Sequence, residues 1–285
     1  MNYIDFEEIG KFSKIPAFIR EPNKVIRIRS RPDLLREFEV ESWEILLNKF
    51  LAKNHETYEK FQSEIHPKMG ENVYYDGSGF CVSNPFRIQR ELQNSIAKFI
   101  RKVADKNDSI IELGAGYGAQ LVNLRNTFPK LNFRLTNAEL TLSGRKLSEL
   151  LSKKYNLDIN TVYVDLEDPK SLDLIEIESA IVFTAFALMY VKTNFEETIT
   201  KILSKGPKNL IIIEPLCEDF DTNTEWGMTC KEWMNINDYN LKIKSQVVSV
   251  VKKFPNYKVL ENKALFFGSN PFLPSSLVLV GKNDL

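Results

Sequence analysis

With 285 residues, 43% of them hydrophobic and 27% charged, the chain can bury a sizeable core and is too apolar for disorder to dominate. Lys plus Arg equals Asp plus Glu at 38 each, and this zero net charge argues against a generic nucleic-acid or anionic-membrane binder. Three scattered cysteines, Cys81, Cys217 and Cys230, lack C-x-x-C spacing, which argues against a zinc site or disulfide framework and for a reducing, cytoplasmic setting.

The first eight residues start acidic and contain no long apolar run, so a signal peptide is not expected there. Residues 1 to about 30 read as irregular, broken by Pro16 and Pro22. Within them, 24–31 alternates in character. That predicts an extended segment with Arg27, Arg29 and Arg31 on one face, either a solvated edge strand or a surface for an acidic or phosphorylated ligand. From Pro32 the pattern turns helical: Trp43, Leu46, Leu47, Phe50 and Leu51 fall on one stripe. A second helix is expected over 56–65, ending before Pro67 and Gly70. Residues 74–80 read as a loop rich in polar and aromatic side chains. A further helix starts near Pro85, with Ile88, Leu92, Ile96, Phe99, Ile100 and Val103 as its apolar stripe.

Beyond Asp108 the pattern changes. Strands are expected at 109–113, 132–137, 160–164, 179–185 and 209–214, with helical stretches near 118–127, 141–155, 169–175 and 194–204. This alternation predicts an α/β fold with a doubly wound, mostly parallel sheet. A long amphipathic helix is expected over 231–254, then two strand-like runs, 257–267 and 276–281, forming a hairpin. The most apolar stretch, 180–191, falls short of the roughly 20 residues that span a bilayer and suits a buried strand.

Between the first of these strands and the following helix lies Glu112-Leu113-Gly114-Ala115-Gly116-Tyr117-Gly118. Glycine reaches positive φ and lets a ligand lie against the backbone, while the adjoining helix N-terminus offers free N–H groups. A ligand would sit beyond the carboxyl ends of the strands, at the switch point of the sheet. Gly114-x-Gly116-x-x-Ala119 also fits a dinucleotide fingerprint, and Glu139 lies where a ribose-binding acid would fall. Three features favour another ligand. Glu112 would repel a pyrophosphate and suits a cation; a further acid, Asp165, follows the third strand; and the sheet ends in a hairpin instead of a second mononucleotide-binding half.

On these residues the stretch from about 108 to 281 resembles a class I S-adenosylmethionine-dependent methyltransferase. The resemblance implies a seven-stranded Rossmann-like sheet and S-adenosyl-L-methionine as cofactor, released as S-adenosyl-L-homocysteine. It places Glu112, Gly114, Ala115, Gly116, Tyr117 and Gly118 along the methionine half, Glu139 at the ribose, and Asp165 with Leu166 at the adenine. Thr184, in the fourth strand, would pass beneath the methyl donor. Residues 1–105 would form a mainly helical lid and substrate region on the 106–285 cofactor domain.

Transfer of a methyl group needs alignment and exclusion of water, and a base where the acceptor must lose a proton. Glu214, ending the fifth strand, and His66, before Pro67, are the candidates, with loop support as the competing role for Glu214. Tyr74, Tyr75, Arg87, Tyr190 and Tyr239 are candidates for the acceptor pocket. The expected acceptor is an oxygen or nitrogen of a small metabolite, sugar or natural-product intermediate, with a peptide as runner-up. No metal, nucleic-acid or membrane partner is expected, and a homodimer is the assembly to test. An NAD(P)-dependent oxidoreductase and a non-catalytic partner subunit are the rival classes.

Overall fold

A computed structural model describes residues 2–21, 25 and 27–283. The N-terminal part comprises β1 (Asn2–Ile4), a 3-10 helix at Phe6–Lys11, and helix α1 (Ile15–Arg20). It continues with α2 (Arg31–Phe38), a π-helical turn at Glu39–Glu44, α3 (Ile45–Ala52) and α4 (Tyr58–Ile65). Strands β2 (Asn72–Tyr75) and β3 (Phe80–Ser83) precede the 19-residue helix α5 (Pro85–Val103). The α/β part contains β4 (Ser109–Leu113), α6 (Ala119–Thr127), β5 (Arg134–Glu139), α7 (Leu142–Tyr155) and β6 (Ile159–Tyr163). It ends with β7 (Ile181–Ala185), α8 (Phe195–Ser204), β8 (Asn209–Glu214), α9 (Glu225–Ile236), α10 (Ile243–Val251), β9 (Tyr257–Phe267) and β10 (Ser275–Lys282).

Strands β4 to β10 form the expected seven-stranded sheet, in the order β6-β5-β4-β7-β8-β10-β9. The first five run parallel, and β10 pairs antiparallel with both β8 and β9. The chain steps outward from β4 through β5 to β6, then returns to β7 on the other side of β4, so the switch point lies between β4 and β7. Alternation along the central strands sends side chains to two cores. Ile111, Val182, Leu210 and Ile212 meet α8 and α10 on one face. Ile110, Phe183, Ile211 and Ile213 meet α5 and α6 on the other. A satellite cluster joins Phe50, Phe61, Tyr117, Leu147 and Leu151, with Trp43, Leu46 and Leu47 packed against it, and so fastens α3 and α4 to α7 and the glycine turn.

Four local expectations need correction. The 74–80 segment is a hairpin: β2 and β3 pair antiparallel up to Tyr75 opposite Phe80. Its turn is held by the Asp76 carboxylate, which accepts N–H bonds from Ser78 at 2.8 Å and Gly79 at 3.0 Å, with Gly77 at φ +97°. Pairing of β1 with β3 completes a three-stranded sheet in a region that read as irregular. There, Pro16 lies in the first turn of α1, where its missing N–H costs nothing. The 231–254 run is two helices, α9 and α10, separated by a polar stretch in which Asp238 adopts φ +57°. Finally, 24–31 is not a strand, and its arginines do not share a face. Lys24 and Ile26 lie outside the described residues, Arg27 is exposed, Arg29 turns inward, and Arg31 opens α2. The segment follows the end of α9, with Arg27 N–H donating to the Ile236 carbonyl at 2.8 Å.

Candidate active site

Beyond the carboxyl ends of the parallel strands lies a cleft of about 650 Å³. The sheet supplies one wall: the glycine turn after β4, Glu139 after β5, Asp165 and Leu166 after β6, and Phe186 and Tyr190 after β7. The N-terminal helices supply the other, with Leu34, Leu35, Phe38, Trp43, Leu46 and Ile65.

The turn is built by backbone demands. Gly114, Gly116 and Gly118 have φ of +69°, +55° and +78°, conformations that side-chain-bearing residues rarely adopt. A Cβ on Gly114 would lie 2.4 Å from the Ala187 Cβ, and one on Gly116 would lie 2.7 Å from the Trp43 ring. Gly118 caps α6 from behind the cleft, and the Asn137 amide braces the turn by donating to the Gly116 carbonyl at 3.1 Å.

Two buried carboxylates meet this turn. Glu139 accepts from Gly116 N–H at 2.8 Å, from Thr141 N–H at 2.8 Å and from the Thr141 hydroxyl at 2.7 Å. Burial raises its pKa, and these bonds pull back against the rise. Glu112 is less well served. One of its oxygens, Oε2, is buried without a partner among the described residues. Burial and then the nearby Glu139 charge push its pKa well above the usual carboxylate range, with the Leu121 amide drawing it down. Neighbouring Gln120 also lines the cleft and keeps a buried, unpartnered Oε1.

Asp165 forms an ion pair with Arg31 of α2, a bridge from sheet wall to lid. A second bridge is Glu39, in the π-helical turn. Its carboxylate accepts from Leu142 N–H at 2.6 Å and Ser143 N–H at 2.8 Å, capping the positive N-terminus of α7. Neither the tight Trp43–Gly116 approach nor the Glu39 cap could be read from spacing, because both depend on how the lid docks. Trp43 and Glu39 both belong to the π-helical turn, Glu39–Glu44, between α2 and α3.

His66 ends α4 and lines the cleft, where burial lowers its pKa below the ordinary 6.5. Glu214 is fully buried and does not line the cleft. Its carboxylate lies under the turn after β7, accepting from Ala187 and Leu188 N–H, each at 2.9 Å, and from Met189 N–H at 3.4 Å. Burial lifts its pKa to about 7 against the pull of those amides. Thr184 is buried beside it and also stands off the cleft. The geometry therefore gives Glu214 a loop-holding role. Tyr190 lines the cleft, and Tyr239 stands behind it with ring centroids 5.3 Å apart. Tyr74, Tyr75 and Arg87 do not line it. Tyr74 is buried and donates to Glu91 at 2.9 Å, Tyr75 packs on Trp226 with centroids 4.8 Å apart, and Arg87 pairs with Glu91. Participation in the β2–β3 hairpin and α5 directs all three away.

No family profile matches the chain, and no curated protein matches it by sequence. Solved structures do match. A geranyl diphosphate methyltransferase in complex with S-adenosylmethionine superposes with a TM-score of 0.51 at 7% identity, over 70% of this chain and 88% of the other. A geranyl diphosphate C-methyltransferase from Streptomyces coelicolor A3(2) superposes with a TM-score of 0.50 at 10% identity, over 70% and 78% of the two chains. The chain has the fold of the class I S-adenosylmethionine-dependent methyltransferases. At 7% identity the likeness is one of fold.

Proposed function

We propose that the chain is an S-adenosylmethionine-dependent methyltransferase acting on an oxygen or nitrogen of a small metabolite, sugar or natural-product intermediate. The unpartnered Glu112 oxygen, buried at the glycine turn beside a second carboxylate, carries this reading. Burying a charge without a partner costs several kcal/mol. A ligand bringing an ammonium or sulfonium group offsets that cost, whereas a pyrophosphate adds to it. The same observation disfavours a nicotinamide dinucleotide.

Glu112 and the backbone of the glycine turn would take the amino-acid end of the cofactor. Glu139 would accept from a ribose hydroxyl through Oε2, which uses one lone pair on Gly116 N–H, whereas Oε1 is already taken by the N–H and hydroxyl of Thr141. Asp165 and Leu166 would meet the adenine, with Arg31 yielding part of its hold on Asp165. The cofactor, when bound, supplies an electrophilic methyl group on sulfur. The apolar side chains of α2, α3 and α4 would exclude water from it. His66, neutral once the pH exceeds its lowered pKa, would accept the acceptor's proton.

Incubation of the protein with methyl-labelled cofactor and separated small-molecule and peptide fractions tests the reading. Label in a small-molecule product is expected. Label confined to peptides overturns the acceptor class. Absence of label, with nicotinamide oxidation instead, overturns the reaction.

A further inference from the structure

The lid places one distinctive cation in the cleft. Arg29 lines it, with a side chain 8% exposed. Its guanidinium lies 5.7 Å from the Tyr190 ring centroid and 5.3 Å from that of Tyr239. Its backbone N–H donates to the Asp238 carboxylate at 3.0 Å, which ties the residue to the end of α9. Glu37 is its ion-pair partner, at 3.4 Å from Nη2, a long contact for a charged hydrogen bond. Among the described residues Nη1 is buried without a hydrogen-bond partner, and the Tyr239 hydroxyl is the other polar group close to the guanidinium. Leaving a buried donor unmade costs about 1–3 kcal/mol, more where the donor is charged. The other cations lining the cleft are better matched: Arg31 pairs with Asp165, and Lys192 with Asp238.

Its position is equally informative. The glycine turn, Glu139 and Asp165 follow β4, β5 and β6, one half of the sheet, whereas Tyr190 follows β7 and Tyr239 follows α9 beyond β8. Aromatic side chains connect the two halves. From Tyr117 in the turn, the row passes to Trp43, Phe38 and Tyr190 with centroid spacings of 5.5, 6.3 and 4.9 Å.

We infer that Arg29 is an anion-binding residue for the methyl acceptor, taking a carboxylate or phosphate while the acceptor's apolar or aromatic body lies along this row. The inference rests on the proposed cofactor occupying the glycine-turn half. An anion at Arg29 gives Nη1 its missing partner and replaces the long Glu37 contact with a closer one. The two rings and the Asp238 tie hold the guanidinium in place beforehand, so little side-chain freedom is lost on binding.

The test titrates phenylacetate, phenyl phosphate and neutral phenylacetamide into the full chain loaded with S-adenosylhomocysteine, in wild type, Arg29→Gln and Arg29→Lys. At least one anion is expected to bind about tenfold or more tightly than the amide in wild type, the scale of one charge-assisted hydrogen bond. Arg29→Gln should erase that preference, Arg29→Lys should keep part of it, and all three proteins should bind S-adenosylhomocysteine alike. That last result also shows the variants folded. Preference for phenyl phosphate over phenylacetate, or the reverse, assigns the acceptor's anion. Equal binding of the amide, no detectable anion binding, a preference that survives in Arg29→Gln, or a loss of S-adenosylhomocysteine affinity with Arg29 overturns the inference. Failure of wild type to bind S-adenosylhomocysteine overturns the cofactor reading instead, and the anion titration on the unloaded chain still reports on Arg29.

Discussion

The two walls of the cleft are built on different physics. The sheet wall carries Glu112, Glu139 and Asp165 at the ends of three adjacent parallel strands, around a turn whose glycines hold positive φ. The lid wall is mainly apolar and aromatic, and its charged residues either bridge to the sheet, as Arg31 and Glu39 do, or stand over rings, as Arg29 does. A ligand seated against the first wall is selected by charge and backbone contact. With Arg29 in its proposed role, one seated against the second would be selected by shape and by the single Arg29 cation. If the two walls hold the proposed donor and acceptor, substitutions on one, the bridging residues apart, should leave binding at the other unchanged.

The largest effect is expected for Gly116→Val. Its side chain would enter the space beside the Trp43 ring from a φ of +55°, closing the turn to any ligand. S-adenosylhomocysteine binding should disappear by calorimetry in a protein that circular dichroism shows folded; retained affinity would put the ligand elsewhere. Glu112→Gln comes next. Removing one partner of a buried charge pair costs about 2–5 kcal/mol of binding, and the cofactor's affinity should fall accordingly. The unliganded variant should change in the opposite sense. Because the folded pKa of Glu112 is raised, its stabilising contribution is present at low pH and lost as pH rises through the raised value. Denaturant titrations should therefore show the variant losing less stability than wild type as pH rises above the ordinary carboxylate range, and parallel curves would contradict the buried, unpaired state.

Glu214 offers a comparable pH test away from the ligand. Its folded pKa of about 7, against an ordinary 4.5, means stability is complete below the ordinary value and declines as pH rises through about 7. That decline is on the order of 3 kcal/mol. Glu214→Gln should flatten it while S-adenosylhomocysteine affinity stays near wild type; a large loss of affinity would bring Glu214 into the ligand site. The smallest effect belongs to Arg31→Gln. The pair with Asp165 is half exposed on the arginine side, so it contributes about 0–1 kcal/mol. Freeing Asp165 should tighten cofactor binding by up to about fivefold, and weaker binding would show that Arg31 itself holds the ligand.

The sheet wall was largely legible in the sequence. Buried parallel strands such as Leu210-Ile211-Ile212-Ile213 are continuous apolar runs, and the acids that end their neighbours stand at countable offsets. The lid was not. Trp43 lies on a stripe that reads as ordinary core, and it sits in a π-helical turn, beside Gly116, that no local pattern announces. The three arginines of 24–31 were conspicuous, but strand periodicity placed them on one face. Docking against α9 instead separates Arg27 from Arg29. Tyr74 and Tyr75 read as pocket aromatics until the Asp76 turn paired their strand with β3 and turned them away. Spacing cannot reveal Glu214's task either, because its three amide donors come from the turn after a different strand.

The central claim is that the buried Glu112 and the glycine turn form a site for a cationic, adenosine-bearing ligand. Calorimetry of the wild-type chain with S-adenosylhomocysteine and, separately, with NADH tests it most directly. Saturable one-to-one binding of S-adenosylhomocysteine and no heat from NADH is the predicted result; tight binding of NADH with none of S-adenosylhomocysteine would contradict it.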